Sequence, residues 1–119
     1  MIDHVVFNVS NLPASRAFYE KPLEPHGIRL LGDHEGYIGF GRDGEAHFWP
    51  TARKAISQNV HVAFGCDERS TVEAFYTAAI AAGGEDNGAP GVRQIYHPNY
   101  HGAFVLDPDG NNIEAVCHQ

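Results

Sequence analysis

The sequence predicts an α+β fold: two tandem βαβββ modules forming a curved, cavity-enclosing mixed sheet with helices outside. Three observations carry this expectation. First, Asp3-His-Val-Val-Phe7 returns as Val60-His-Val-Ala-Phe64, and the offset of 57 that carries His4 onto His61 also carries Phe18-Tyr19 onto Phe75-Tyr76 and Gly27 onto Gly84. Second, each repeat begins with residues that alternate in the period of a strand. Third, each then changes to helical spacing and ends in short strand candidates separated by turn residues.

The opening strand sets His4, Val6 and Asn8 on one face and Val5, Phe7 and Val9 on the other. The first helix carries Ser15, Phe18, Tyr19 and Leu23 as its apolar stripe, capped by Asn11, with Pro22 kinking or ending it. Strand candidates follow at 28–33, 36–41 and 45–50, with Asp43-Gly44 as a tight hairpin. In the second repeat Val72, Phe75, Tyr76, Ala79 and Ile80 lie at helical spacing, Ser70 and Glu73 form a capping box, and Gly83-Gly84 ends the helix. Less regular strands are expected at 85–96, 100–107 and 111–117, with Asp109-Gly110 as a hairpin and Asn87 to Asn99 as a long loop. Residues 1–119 thus read as one domain, with module one at about 1–50, a linker at 51–58 and module two at about 59–119.

A chain of 119 residues with 43% hydrophobic side chains can bury a core without staples. A formal charge of -7, with no Lys/Arg stripe, argues against nucleic acid. No run of about 18 apolar residues is present, and Met1-Ile-Asp-His4 has neither a basic nor an apolar leader region, so a cytoplasmic protein away from membranes is expected. Cys66 and Cys117 lack CxxC spacing and read as buried free thiols. His26, His34 and His118 read as surface residues.

If each helix packs on the Val5/Phe7/Val9 face and its counterpart, His4 and His61 turn to the opposite side. On the last strand Ile113, Ala115 and Cys117 are apolar, which turns Glu114 the same way as His61. Two imidazoles and a carboxylate suit Zn, Ni, Mn or Fe and leave coordination positions for substrate. The competing reading makes each histidine a hydrogen-bonded core residue, but an unpaired buried carboxylate is costly.

These residues resemble the vicinal oxygen chelate superfamily, which contains glyoxalase I, extradiol dioxygenases, and fosfomycin and bleomycin resistance proteins. The resemblance rests on Asp3-His-Val5, Asn11-Leu12 with Ser15 and Phe18-Tyr19, His61-Val-Ala-Phe64, and Asp107-Pro-Asp-Gly-Asn-Asn-Ile-Glu114. It implies a divalent metal on His4, His61 and Glu114. A fourth ligand would fall on Ala46-His-Phe-Trp-Pro50: alternation chooses His47, with Trp49 lining the pocket, whereas ungapped alignment of the two Asp-Gly turns sets Phe48 opposite Glu114. Neither choice supplies the carboxylate that glyoxalase I carries there.

Glu114 could act as base. The stretch from Pro90 to His101 resembles glyoxalase-like proteins of this length, making His97 and His101 acid/base candidates and Arg93, Tyr96 and Tyr100 substrate contacts. The implied function is a metal-dependent enzyme, of lyase, isomerase or dioxygenase type, acting on a small oxygen-chelating substrate. The alternative is a non-catalytic small-molecule binding or resistance protein of the same fold. Association into a homodimer through exposed strand edges or helices is a further expectation.

Overall fold

Strand β1 takes up Val5–Asn8, the alternating run that follows His4. Helix α1 spans Leu12–Tyr19; Asn11 caps it by accepting the Ala14 amide at 3.0 Å, and Pro13 occupies the first turn, where its missing N–H leaves no bond unmade. The helix stops before Pro22. Leu23 nevertheless stays fully buried, because a 3₁₀ turn at Glu24–His26 continues the chain and Gly27, at φ 72°, closes it. Strands β2 (Arg29–His34), β3 (Tyr37–Arg42) and β4 (Glu45–Thr51) complete the first module. Asp43 and Gly44 both adopt positive φ, as a two-residue hairpin of the primed type requires.

The second module repeats the order with β5 (His61–Cys66), α2 (Arg69–Ala81), β6 (Glu85–Val92), β7 (His101–Leu106) and β8 (Asn112–Cys117). This computed structural model describes all residues, 1–119. Two four-stranded mixed sheets result, ordered β1-β4-β3-β2 and β5-β8-β7-β6, with β1/β4 and β5/β8 parallel and the remaining pairs antiparallel. No helix is long and apolar enough to cross a membrane.

Three local expectations are corrected. The Ser70/Glu73 capping box does not form: α2 begins at Arg69, so Ser70 already lies inside the helix, and its hydroxyl donates to Glu68 Oε2 at 3.2 Å. The expected loop from Asn87 to Asn99 begins only after Val92, because β6 runs through its first six residues as an edge strand whose bulges around Gly88 accommodate Pro90. His26 is not a surface residue. It is 7% exposed, its ring packed edge-on against Phe64 and Phe75 at 6.0 and 5.7 Å.

One apolar core of 16 residues runs through both modules, from Phe7, Tyr19 and Phe48 to Phe75, Ile113 and Cys117. Phe48 and Phe64 meet at 5.1 Å across the junction, and the Tyr19 hydroxyl donates to Asp107 Oδ2 at 2.5 Å. The modules therefore join through their helix-facing sides. Cys66 and Cys117 are both free, Cys117 fully buried and Cys66 half-buried. Cys66 and Cys117 are register partners on β5 and β8, and burial raises the Cys66 thiol pKa.

The buried His26 makes stability pH-dependent. Burial depresses its imidazole pKa below the ordinary 6.5, only partly offset by nearby Phe64 and Pro22 backbone. The unfolded chain then binds the proton more readily than the folded one. This contribution is fully present above pH 6.5 and is lost as pH falls through the folded value. Urea midpoints measured at about pH 7.5 and about pH 5 should fall more steeply for the parent than for His26→Phe; equal slopes would contradict this.

Candidate active site

Period two in β8 turns Ile113, Ala115 and Cys117 toward the helix and leaves Glu114 on the opposite face, although it is only 2% exposed. His61 Nε2 lies 2.9 Å from Glu114 Oε1. The Tyr100 hydroxyl donates a short hydrogen bond to Oε2, so both carboxylate oxygens are engaged. Burial and the adjacent carboxylate hold the Tyr100 phenol well above its usual pKa, which keeps it a donor. Gly102 makes this packing possible: a β-carbon there would stand 3.2 Å from Tyr100 Cε1 and 3.5 Å from Glu114 Oε2.

No lysine or arginine neutralises Glu114, whose one ion-pair partner is His61. A buried carboxylate beside a half-open imidazole is a donor pair suited to a divalent cation. Phe104, the register partner of Glu114 on β7, lies 6.3 Å from the His61 ring, and the Arg93 guanidinium sits 5.4 Å over Phe104. Arg93 also donates to the Ala89 carbonyl at 2.7 Å. Tyr96 is exposed and packs 4.8 Å from Tyr100.

His97 accepts the Asn99 amide on Nδ1, which puts its proton on Nε2; that nitrogen lies 2.8 Å from Nδ1 of His118. His118 is exposed, as expected, and its ring stacks on that of His97 at 5.0 Å.

His101 is placed elsewhere. Gly102 and Phe104 occupy the Glu114 face of β7, so alternation sends His101 under α2, 7% exposed, with Nε2 3.3 Å from Glu73. His101, expected as an acid/base candidate, is thus set apart from the Glu114 cluster.

On the first module His4 is about half exposed, its Nδ1 2.7 Å from Asp3 Oδ1, an interaction that lowers the Asp3 pKa. His47 Nδ1 lies 2.6 Å from the Asp3 carbonyl. The parallel registers decide which residue corresponds to Glu114. Val6 pairs with Trp49 as Ala63 pairs with Glu114, and Val6 and Ala63 are related by the repeat. Trp49 therefore stands in the position of Glu114, Phe48 in that of Ile113 and His47 in that of Asn112. Counting from the hairpins missed this because β3 and β4 slip register between Phe40 and Gly41.

Module one thus adds an imidazole and no carboxylate. The groove beside His4 is lined by Val6, Tyr37, Trp49, Thr51 and Arg53, all outside module two. Within one chain no three His, Cys, Asp or Glu side chains converge closely enough for a metal. His4 and the His61–Glu114 pair lie on separate open faces.

The sequence pattern of the Glyoxalase/Bleomycin resistance protein/Dioxygenase superfamily matches residues 1–115. The chain belongs to this superfamily. Metallothiol transferase FosB of Shouchella clausii (strain KSM-K16) is 32% identical over 117 residues, covering 96% of this chain and 77% of that protein. Among solved structures, a glyoxalase/bleomycin resistance protein from Albidiferax ferrireducens T118 superposes with a TM-score of 0.81 at 25% identity, covering 97% of this chain and 96% of the other. Lactoylglutathione lyase from Agrobacterium tumefaciens shares the fold, with a TM-score of 0.71 at 15% identity over 98% of this chain and 92% of its own.

Within this glyoxalase-superfamily chain, sequence reasoning passed over Tyr37 and Arg53. A Tyr-x-Gly triplet occurs in each module, Tyr37-x-Gly39 and Tyr100-x-Gly102, but the strand registers set Tyr37 in the position of Gly102, so no repeat signal marked it. Arg53 fell in the region assigned to the linker. The Asn8 side chain fixes that segment by accepting the Thr51 hydroxyl at 2.9 Å and the Arg53 and Lys54 amides at 3.3 and 3.0 Å.

Proposed function

We propose that the protein is a divalent-metal-dependent enzyme acting on a small substrate with adjacent oxygens, and that His4, His61 and Glu114 hold the metal. The observation that supports this most is buried Glu114, bonded to His61 and Tyr100 and lacking any cationic side chain. Because His4 lies on a separate face of the same chain, the ligand set is completed in a homodimer, His4 of one copy meeting His61 and Glu114 of the other. Both faces are open to such pairing: His4, Val6 and His61 are each about half exposed.

A metal bound there supplies Lewis-acid stabilisation of developing negative charge on a chelated oxygen. Tyr100, fixed as a donor, orients the Glu114 carboxylate. Arg93, held over Phe104 on the same module, receives an anionic substrate group. His97 stands behind Tyr100, its ring 5.4 Å away, and supports the substrate loop. His47 is left out of the ligand set, since it occupies the position of Asn112 and its Nδ1 is engaged by the Asp3 carbonyl.

Trp49 in place of a second carboxylate favours group transfer over glyoxalase I isomerisation, in keeping with the metallothiol transferase relative. Lyase or dioxygenase chemistry is separated from transfer by product analysis with a thiol present and by oxygen consumption. Elemental analysis of purified protein tests the metal. One divalent ion per chain is expected in the parent and in His47→Ala, with its loss in His4→Ala; absence from the parent, or retention in His4→Ala, would overturn the reading.

A further inference from the structure

The open face of module one carries a second built feature. The six-membered ring of Trp49 fills the space above Gly39 and Gly32: a β-carbon on Gly39 would stand 2.6 Å from two of its atoms, and one on Gly32 3.2 Å from the nearest. Trp49 Nε1 donates to the Ala46 carbonyl at 3.3 Å, so the indole is held at both ends. Tyr37 lies 5.8 Å from Trp49 and is itself stacked on His34 at 4.7 Å. The Arg53 guanidinium sits 5.5 Å over the Tyr37 ring, its stem lies 3.1 Å from where a Gly36 β-carbon would be, and its backbone is fixed by Asn8.

Arg53 has no carboxylate partner, and no acidic residue lines this groove of about 260 Å³. In a chain of net charge -7 that is a locally anion-attracting spot.

We infer that this shelf binds a small planar conjugated carboxylate, its π face on Trp49 and its carboxylate on the Arg53 guanidinium. A fixed aromatic surface favours a flat partner over a puckered one of equal size. The guanidinium fork matches a carboxylate with two parallel hydrogen bonds. At about 260 Å³ the groove has room for a single-ring carboxylate. The shelf adjoins His4, so its role in catalysis rests on the metal reading; its binding of the carboxylate does not.

Trp49 is the only tryptophan, so its emission reports on the shelf directly. The EDTA-treated full chain is titrated with benzoate, cyclohexanecarboxylate and benzamide. Benzoate should change the emission saturably, with each comparison ligand at least about 10-fold weaker, and Arg53→Gln should reduce benzoate affinity about 10-fold without affecting benzamide. Absence of a saturable benzoate response, equal affinity for all three ligands, or unchanged benzoate affinity in Arg53→Gln would overturn the assignment. Metal content is measured on the same preparations before EDTA treatment. Benzoate failure with metal retained removes the shelf alone, whereas benzoate binding without stoichiometric metal removes the metal centre alone.

Discussion

Glu114→Gln should reduce divalent-metal affinity by more than about 100-fold, beyond the range seen when an outer hydrogen-bond partner of a ligand is lost. Glutamine keeps the size of the side chain and still offers a carbonyl to the Tyr100 hydroxyl, but it carries no charge into a position that is 2% exposed. The fold should survive, since the substitution removes an anion whose burial is costly and whose one ion-pair partner is His61. Calorimetric titration with Mn²⁺ or Zn²⁺, beside a thermal melt, checks both parts. Undiminished binding would exclude Glu114 from the centre.

Asp107→Ala should be the most destabilising single change, costing about 3–5 kcal/mol of a total that is about 5–15 kcal/mol in proteins of this kind. The carboxylate is 6% exposed and accepts four hydrogen bonds: from the Tyr19 hydroxyl at 2.5 Å, the Asn111 side chain at 3.0 Å, and the amides of Asp109 and Asn111 at 2.9 Å. It closes the β7–β8 turn, and through Tyr19 it joins module two to α1 of module one. Burial and Asp107 raise the Tyr19 phenol well above its ordinary pKa, so it remains a donor. Truncation strands these donors in a dry junction. Tyr19→Phe, which removes one of the four bonds, should cost about 1.5–3 kcal/mol. Urea unfolding measures both, and a loss under about 1 kcal/mol for Asp107→Ala would show that the junction does not depend on this carboxylate.

What was legible in the sequence is what short-range geometry decides. The offset joining His4 to His61 also aligned Phe18-Tyr19 with Phe75-Tyr76, and those aromatic pairs lie on α1 and α2. Gly27 closes the turn after α1 at positive φ, and the Gly84 amide bonds to the Ala79 carbonyl at the end of α2. Alternation alone put Glu114 on the face of His61 and, applied to β7, would also have put His101 under the helix.

The rest depended on contacts between distant residues. The slip at Phe40/Gly41 shifts β4 against its hairpin, so the counterpart of Glu114 became readable as Trp49 only through the β1/β4 register. His26 is buried because Phe64 and Phe75 of the other module close over it. How the modules join is decided by Phe48 against Phe64 and Tyr19 against Asp107, none of which the local pattern announces.

Mixing two inactive variants tests the shared centre most directly. His4→Ala retains His61 and Glu114, and Glu114→Gln retains His4, so each homodimer lacks a ligand in both sites. After unfolding and refolding the two together, a mixed dimer regains one complete site, and about a quarter of the parent's metal-binding capacity should return if pairing is random. Neither variant refolded alone should bind. A mixture that binds no more metal than its separate components, while forming mixed dimers, would contradict a centre built from His4 of one copy and His61 and Glu114 of the other.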